Sequence, residues 1–324
     1  MCTAISFLNN DHYFGRNLDL EYSYFETVTI TARNYPLKFR HKDTLCRHFA
    51  MIGMAYVCDN YPLYYEATNE MGLSMAGLNF PGNADYKPCL QGKDNITPFE
   101  FIPWILSQCS TLEEAKILLQ HTNLLNENYS EQLPLSPLHW MISDKTTSLT
   151  IESTKDGLNI YENPVGVLTN NPTFNMQLFS LNNYRNLSNH EPENHFSKEL
   201  DLSLYSRGLG ALFLPGDWSS QSRFVKAVFT KTNSVCASTE ESNISQFFHI
   251  LSSVEHPRGC VKIAENLYEI TIYSCCCNTD KGIYYYKTYD NHQITAVYMH
   301  HENLDSCSLI SYPLIKTQQI LQQN

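Results

Sequence analysis

Apolar and polar positions alternate in short runs through the first quarter of the chain. Thr3–Leu8, His12–Arg16, Thr27–Ala32, Ala50–Val57 and Gly72–Ala76 show partial period-2 alternation or are rich in β-branched and aromatic residues, which predicts strands. Asn9-Asn10-Asp11 separates the first two runs and predicts a hairpin turn, which would return Arg16 to the side of the N-terminus. The pattern then lengthens. Pro98–Cys109 is apolar over a helix length, and Ser110-Thr111-Leu112-Glu113 has capping-box spacing ahead of Ala115, Ile117, Leu118 and Leu119. Strands resume at His139–Ser143, Ser148–Glu152, Leu158–Tyr161 and Gly166–Leu168. After a polar, Asn-rich stretch at 181–200, Arg223–Thr230 and Ser245–Val254 predict helices, and Tyr268–Ser274, Gly282–Tyr289 and Gln293–Met299 predict closing strands. Strand-rich halves around helices predict one α+β layered domain, two sheets covered by helices.

Composition narrows the class. With 324 residues, 43% hydrophobic and 17% charged, the chain can bury a sizeable core and is globular. Its 33 acidic and 22 basic residues give a net charge of −11, which argues against nucleic-acid or anionic-membrane partners. No basic leader with an apolar core opens the chain, and no apolar run approaches the ~20 residues of a membrane span. The eleven cysteines follow no disulfide rhythm. These features predict a cytoplasmic protein with reduced thiols. Cys275-Cys276-Cys277 would place neighbours on opposite faces of a strand, and no second pair stands at finger spacing, so no metal is expected.

The candidate chemistry begins at Cys2. A small residue behind the initiator methionine permits its removal, which leaves thiol and free α-amine on one residue, and such an amine can serve as base for its own side chain. Four polar clusters could support that chemistry: Gly15-Arg16-Asn17-Leu18-Asp19, Ala76-Gly77-Leu78-Asn79-Phe80-Pro81-Gly82, Leu168-Thr169-Asn170-Asn171-Pro172, and Leu214-Pro215-Gly216-Asp217 leading to Ser222-Arg223. Singly, Asn beside Gly or Pro is turn chemistry and Arg–Asp pairs are surface ion pairs. Together they supply what thiolate attack on an amide needs. Arg16 is a cation, Asp19 a group to hold the amine, and Asn79 and Asn170 neutral donors where oxyanion charge develops.

These residues, with Met1-Cys2-Thr3, Asn69-Glu70, Leu138-His139-Trp140, Val167-Leu168, Phe224 and Lys281–Tyr286, resemble the choloylglycine hydrolase family of N-terminal-nucleophile amidases, which includes bile salt hydrolases and penicillin V acylases. The resemblance runs in family order from the start to about residue 290. It implies a four-layered αββα fold, one domain over 2–324 once Met1 is lost, no cofactor, and usually a homotetramer. It also implies a nucleophile at Cys2, the pair Arg16 and Asp19 beside it, Asn79 and Asn170 on the tetrahedral intermediate or substrate, and Arg223 near the thiol. Substrate-pocket positions of the family fall on Leu18, Tyr24, Tyr65, Tyr129 and Leu133. Asparagine at 79, where penicillin V acylases often carry tyrosine, tilts the expectation towards conjugated bile salts, with glycine or taurine as the leaving group. Three alternatives stand beside it: a penicillin V acylase with the same machinery, a papain-like thiol hydrolase, and a non-catalytic binder of apolar anions.

Overall fold

The computed structural model describes all 324 residues. Its first six strands are β1 (Cys2–Asn9), β2 (Asp11–Leu20), β3 (Thr27–Thr31), β4 (Met51–Cys58), β5 (Tyr61–Asn69) and β6 (Ser74–Asn79). Its helices are α1 (Phe101–Leu106), α2 (Leu112–His121), α3 (Phe174–Ser180), α4 (Ser220–Thr232) and α5 (Glu240–Ser252). One antiparallel sheet of six strands runs Val167–Leu168, β1, β2, Ile270–Asn278, Ile283–Thr288, Thr295–Tyr298. A second, of eight, runs Gly157–Glu162, Ser148–Thr154, Leu138–Ser143, β6, β5, β4, β3, Leu309–Pro313.

Side-chain alternation sorts the strands into three cores. Cys2, Ala4, Phe14 and Leu18 from the first sheet meet Val28, Ile52, Leu78 and Met141 from the second in an inner core. The opposite face of the eight-stranded sheet, with Met75, Trp140 and Ile142, packs on α1 and α2. The opposite face of the six-stranded sheet, with Ile5, Phe7, Tyr13 and Tyr285, packs on α5. Three dry interfaces make four layers, αββα, as the resemblance implied. The cysteine triplet follows the same rule: Cys275 and Cys277 face the inner core and Cys276 the helix side. No helix is long and apolar enough to cross a membrane.

Most predicted elements stand, with local corrections. The strand β5 was not foreseen. It follows β4 through Asp59 and Asn60, both at positive φ (51° and 60°), a tight turn without the glycine that usually marks one. The helix α3 and the strand Leu309–Pro313 were also missed. The cap of α2 lies one residue later than predicted: Thr111 accepts the Glu114 N–H at 3.2 Å, while the Glu114 carboxylate takes the N–H and hydroxyl of Ser110. The 9–11 turn does form, with Asn10 at φ 62°.

Candidate active site

Register brings the candidates together. In the β1–β2 hairpin Cys2 pairs with Leu18 and Ala4 with Arg16, so Arg16 lies two residue pairs along from Cys2 and on the same face. Gly15 permits this packing, because a Cβ there would overlap the Cys275 carbonyl of the next strand. Asn170 arrives on the loop after Val167–Leu168, the strand that pairs with β1. Arg223 arrives in the first turns of α4. Ser219 caps that helix, and Asp217 takes the Ser219 N–H and the Ser222 hydroxyl, bonds that hold its carboxyl down at about 2.

The nitrogen of Cys2 donates to Asn170 Oδ1 at 2.8 Å. The same oxygen accepts from Arg223 Nη2 at 2.8 Å, and Arg223 Nη1 donates to the Cys2 carbonyl at 2.5 Å and to Thr3 Oγ1 at 2.6 Å. Asn170 Nδ2 donates to the Asn79 carbonyl at 2.7 Å, which leaves the other Nδ2 hydrogen free. The Asn79 side-chain amide has no partner within the chain. Met1 is still in place: its amine donates to the Asp19 carbonyl at 2.6 Å and pairs with the Glu269 carboxylate, and burial draws that amine below its ordinary value.

Two layers of polar groups support these contacts. Arg16, fully buried, donates from Nη1 to the Gly77 carbonyl at 2.5 Å and the Tyr65 carbonyl at 3.1 Å. Its Nε faces Glu66 Oε2 at 3.8 Å, and Nη2 has no partner. Burial opposes the guanidinium charge, but Cys2, Tyr273 and Glu66 raise its pKa above the ordinary value. The buried Glu66 carboxylate takes the hydroxyls of Tyr284 at 2.5 Å and Tyr273 at 2.7 Å. On the helix side, the Asp19 carboxylate accepts from Thr271 Oγ1 at 2.6 Å and faces His256 Nδ1 at 3.2 Å. Burial would raise the Asp19 carboxyl; His256, Arg223 and the terminal amine outweigh it and hold it low. A cavity of about 410 Å³ lies behind this pair, lined by Ser274, Lys287, Tyr289 and other mostly polar residues. It meets the site through His256 and Thr271, and Cys2 is not on its wall.

The expected substrate positions are spread more widely. Leu18 pairs with Cys2, and Tyr65 joins it through Arg16. Tyr24 is exposed on the loop after β2, its hydroxyl 3.2 Å from Tyr22; burial, then the charges of Glu26 and Tyr24, raise the Tyr65 hydroxyl. Tyr129 and Leu133 lie on the loop 126–137. The Tyr129 hydroxyl bonds the Cys58 carbonyl at 3.2 Å, and its ring meets Phe99 edge-on. Sequence reasoning missed Glu66, His256 and Glu269. Glu66 and Glu269 are charged residues in strand-like runs, a faint signal for a buried polar partner, whereas His256, between Glu255 and Pro257, carries no such signal.

Burial pushes Cys275 and Cys276 well above the ordinary thiol range and Cys277 up to about 12, so none ionises readily.

Both the sequence and the fold have counterparts among known proteins. Residues 2–312 match the model of linear amide C–N hydrolases, choloylglycine hydrolase family. A bile salt hydrolase/transferase of Lactiplantibacillus plantarum is 59% identical over 97% of both chains, and one of Clostridium perfringens is 38% identical over 98% of both. The crystal structure of a mutant conjugated bile acid hydrolase from Clostridium perfringens superposes with TM-score 0.93 at 36% identity over the whole of both chains. Penicillin V acylase from Agrobacterium tumefaciens shares the fold, with TM-score 0.74 at 17% identity over 96% of this chain and 90% of that one. A four-layered sandwich that opens on a second-residue cysteine thus matches known proteins in sequence as well as in shape: the chain belongs to the choloylglycine hydrolase family of linear amide C–N hydrolases.

Proposed function

We propose that the chain, as one domain over residues 2–324 after loss of Met1, is a bile salt hydrolase that cleaves the amide between a steroid acid and glycine or taurine. The observation that carries the mechanism is the hydrogen bond from the Cys2 nitrogen to Asn170 Oδ1, itself gripped by Arg223. Once Met1 is gone that nitrogen is the free α-amine, already oriented. It takes the thiol proton, directly or through water, and the thiolate attacks the amide carbon. The free hydrogen of Asn170 Nδ2 and the unpartnered Asn79 amide receive the oxyanion, with Arg16 as the cation behind them. The amine then protonates the leaving nitrogen, and water hydrolyses the thioester. Relatives named hydrolase/transferase suit the same intermediate, since an amine can take the acyl group in place of water.

Leu18, Tyr65, Tyr24, Tyr129 and Leu133 are the proposed acyl-side contacts, and no cofactor enters the chemistry. A homotetramer is proposed as the assembly. Phe196, Leu202, Tyr205 and Phe213, on the segment between α3 and α4, leave large apolar surfaces exposed that a second copy would cover.

Parallel turnover of glycocholate, taurocholate and penicillin V tests the reading. Burying a steroid face is worth about 25 cal/mol per Å², and the phenoxymethyl group of penicillin V is smaller. Conjugated bile salts should exceed penicillin V in kcat/KM by at least about tenfold, or ~1.4 kcal/mol of transition-state binding. A preference for penicillin V would overturn the substrate assignment and leave the thiol mechanism standing.

A further inference from the structure

The Leu138-His139-Trp140 motif takes no part in the chemistry above, yet it sets a fully buried imidazole between the two asparagine loops. The His139 ring lies flat on Phe80, with centroids 4.2 Å apart and planes 7° apart, and Phe80 directly follows Asn79. Its Nε2 stands 2.9 Å from the carbonyl oxygen of Thr169, which directly precedes Asn170. Its Nδ1 stands 3.2 Å from Glu152 Oε1, and that oxygen also accepts the Phe174 N–H at 2.9 Å. Neither side chain of the pair has any solvent exposure.

Both ring nitrogens face oxygens. A carbonyl oxygen cannot donate, so Nε2 must carry a proton; an ionised carboxylate also only accepts, so Nδ1 carries another wherever Glu152 is charged. A neutral imidazole has one N–H for these two partners. An imidazolium has both, and the carboxylate beside it meets the requirement that buried charge be paired.

We propose that His139 and Glu152 form a buried imidazolium–carboxylate pair that positions both asparagine loops, and that its second ring proton is needed for full turnover. The pair acts through the Thr169 carbonyl and the Phe80 ring and does not touch substrate, so both are positioning residues. The Asn170–Asn79 hydrogen bond closes the same unit from the thiol side. The titratable groups facing the unit from other elements are few. Tyr161, on Gly157–Glu162, has its hydroxyl raised by burial and then by Glu152. Arg223, on α4, and Cys2, on β1, meet it through Asn170. Phe174 and Gln177 of α3 and Ser220 of α4 are uncharged.

The inference rests on the thiol-amidase reading. Glu152→Gln keeps an acceptor oxygen for Nδ1–H and for the Phe174 N–H and removes the charge. Steady-state kinetics on glycocholate from pH 5 to 8, wild type beside variant, should show kcat down about 10–100-fold at pH 8, a cost typical of misplacing catalytic groups, with KM within about twofold. The variant-to-wild-type ratio should climb towards one as acid restores the ring proton. A deficit that stays constant across pH, or that resides in KM, would overturn the proposal. If the variant does not fold, ring ¹⁵N spectra of the wild-type enzyme at pH 7 decide. The histidine in contact with the Phe80 ring should have both nitrogens protonated, and a bare nitrogen on it refutes the pair. Wild-type turnover in the same assay checks the underlying function separately. An inactive wild type would refute that reading, whereas an active one with a pH-independent deficit refutes the pair alone.

Discussion

Asn170→Ala strikes the point where amine, arginine and oxyanion loop converge. It deletes an acceptor for the Cys2 nitrogen at 2.8 Å and for Arg223 Nη2 at 2.8 Å, and a donor to the Asn79 carbonyl at 2.7 Å. The main-chain bond from Asn170 to Ser220 Oγ at 2.8 Å survives. Arg223 stays held by Trp218, Cys2 and Thr3, so one charge-assisted bond is lost, costing about 1.5–3 kcal/mol of stability and several degrees of Tm. The chemistry should lose more. Removing an oxyanion donor typically costs ~2.7–4 kcal/mol, or about 10²–10³ in kcat, and here the base is disoriented as well. Asn170→Asp separates the two roles, because it keeps acceptors for Cys2 and Arg223 and loses the N–H. Its kcat should remain low. The assay is release of glycine from glycocholate under saturating and limiting substrate, with thermal melts on the same samples. An alanine variant with wild-type kcat and only a raised KM would make Asn170 a substrate-binding residue, and a fully active aspartate variant would make it a clamp alone.

A chain that retains Met1, or a tag ahead of it, should fold and show no turnover, and intact mass of active enzyme should lack the methionine; full activity of the unprocessed chain would sink the amine mechanism. Cys2→Ala should be inactive, while Cys276→Ala, whose thiol faces the helix layer, should keep kcat in folded protein; loss of turnover there would give the triplet a role in the chemistry. His12 is held down to about 4, chiefly by burial, partly offset by Asp280 and Asp144. The unfolded chain, with His near 6.5, takes up that proton first, so this group should cost the fold about 3 kcal/mol between pH 6.5 and 4 and nothing more below. Urea melts should show this loss reduced in His12→Gln, and an unchanged acid response would refute it. Gly15→Ala should fail to fold or lose several kcal/mol, because the Cys275 carbonyl occupies the space a methyl needs.

Much of the architecture was legible because strands covered on both faces read as short runs rich in β-branched and aromatic residues, and here both faces of both sheets are covered. The 9–11 turn declared its hairpin, and that hairpin alone placed Arg16 near Cys2. The strand at 61–69 was hidden by a turn whose two left-handed residues are Asp59 and Asn60, with no glycine to announce it. The candidate site residues were named from their types and their family resemblance, and the fold brings Cys2, Asn170 and Arg223 into contact. Their supports were not legible: Glu66, His256 and Glu269 are meaningful only beside Arg16, Asp19 and the terminal amine, and those neighbours are 50 to 268 positions away.

Chain ends ordinarily fray, yet here the first residues form an interior strand, flanked by Val167–Leu168 and β2 and covered on both faces. The slowest-exchanging amides of the molecule should therefore include those of residues 3 to 6, and Cys2 inherits the rigidity of the sheet centre. The opposite terminus lies in solvent, exposed from Ile315 onwards. Tethering to a solid support, affinity handles and fusion partners consequently belong after Asn324, where they leave the reactive end free.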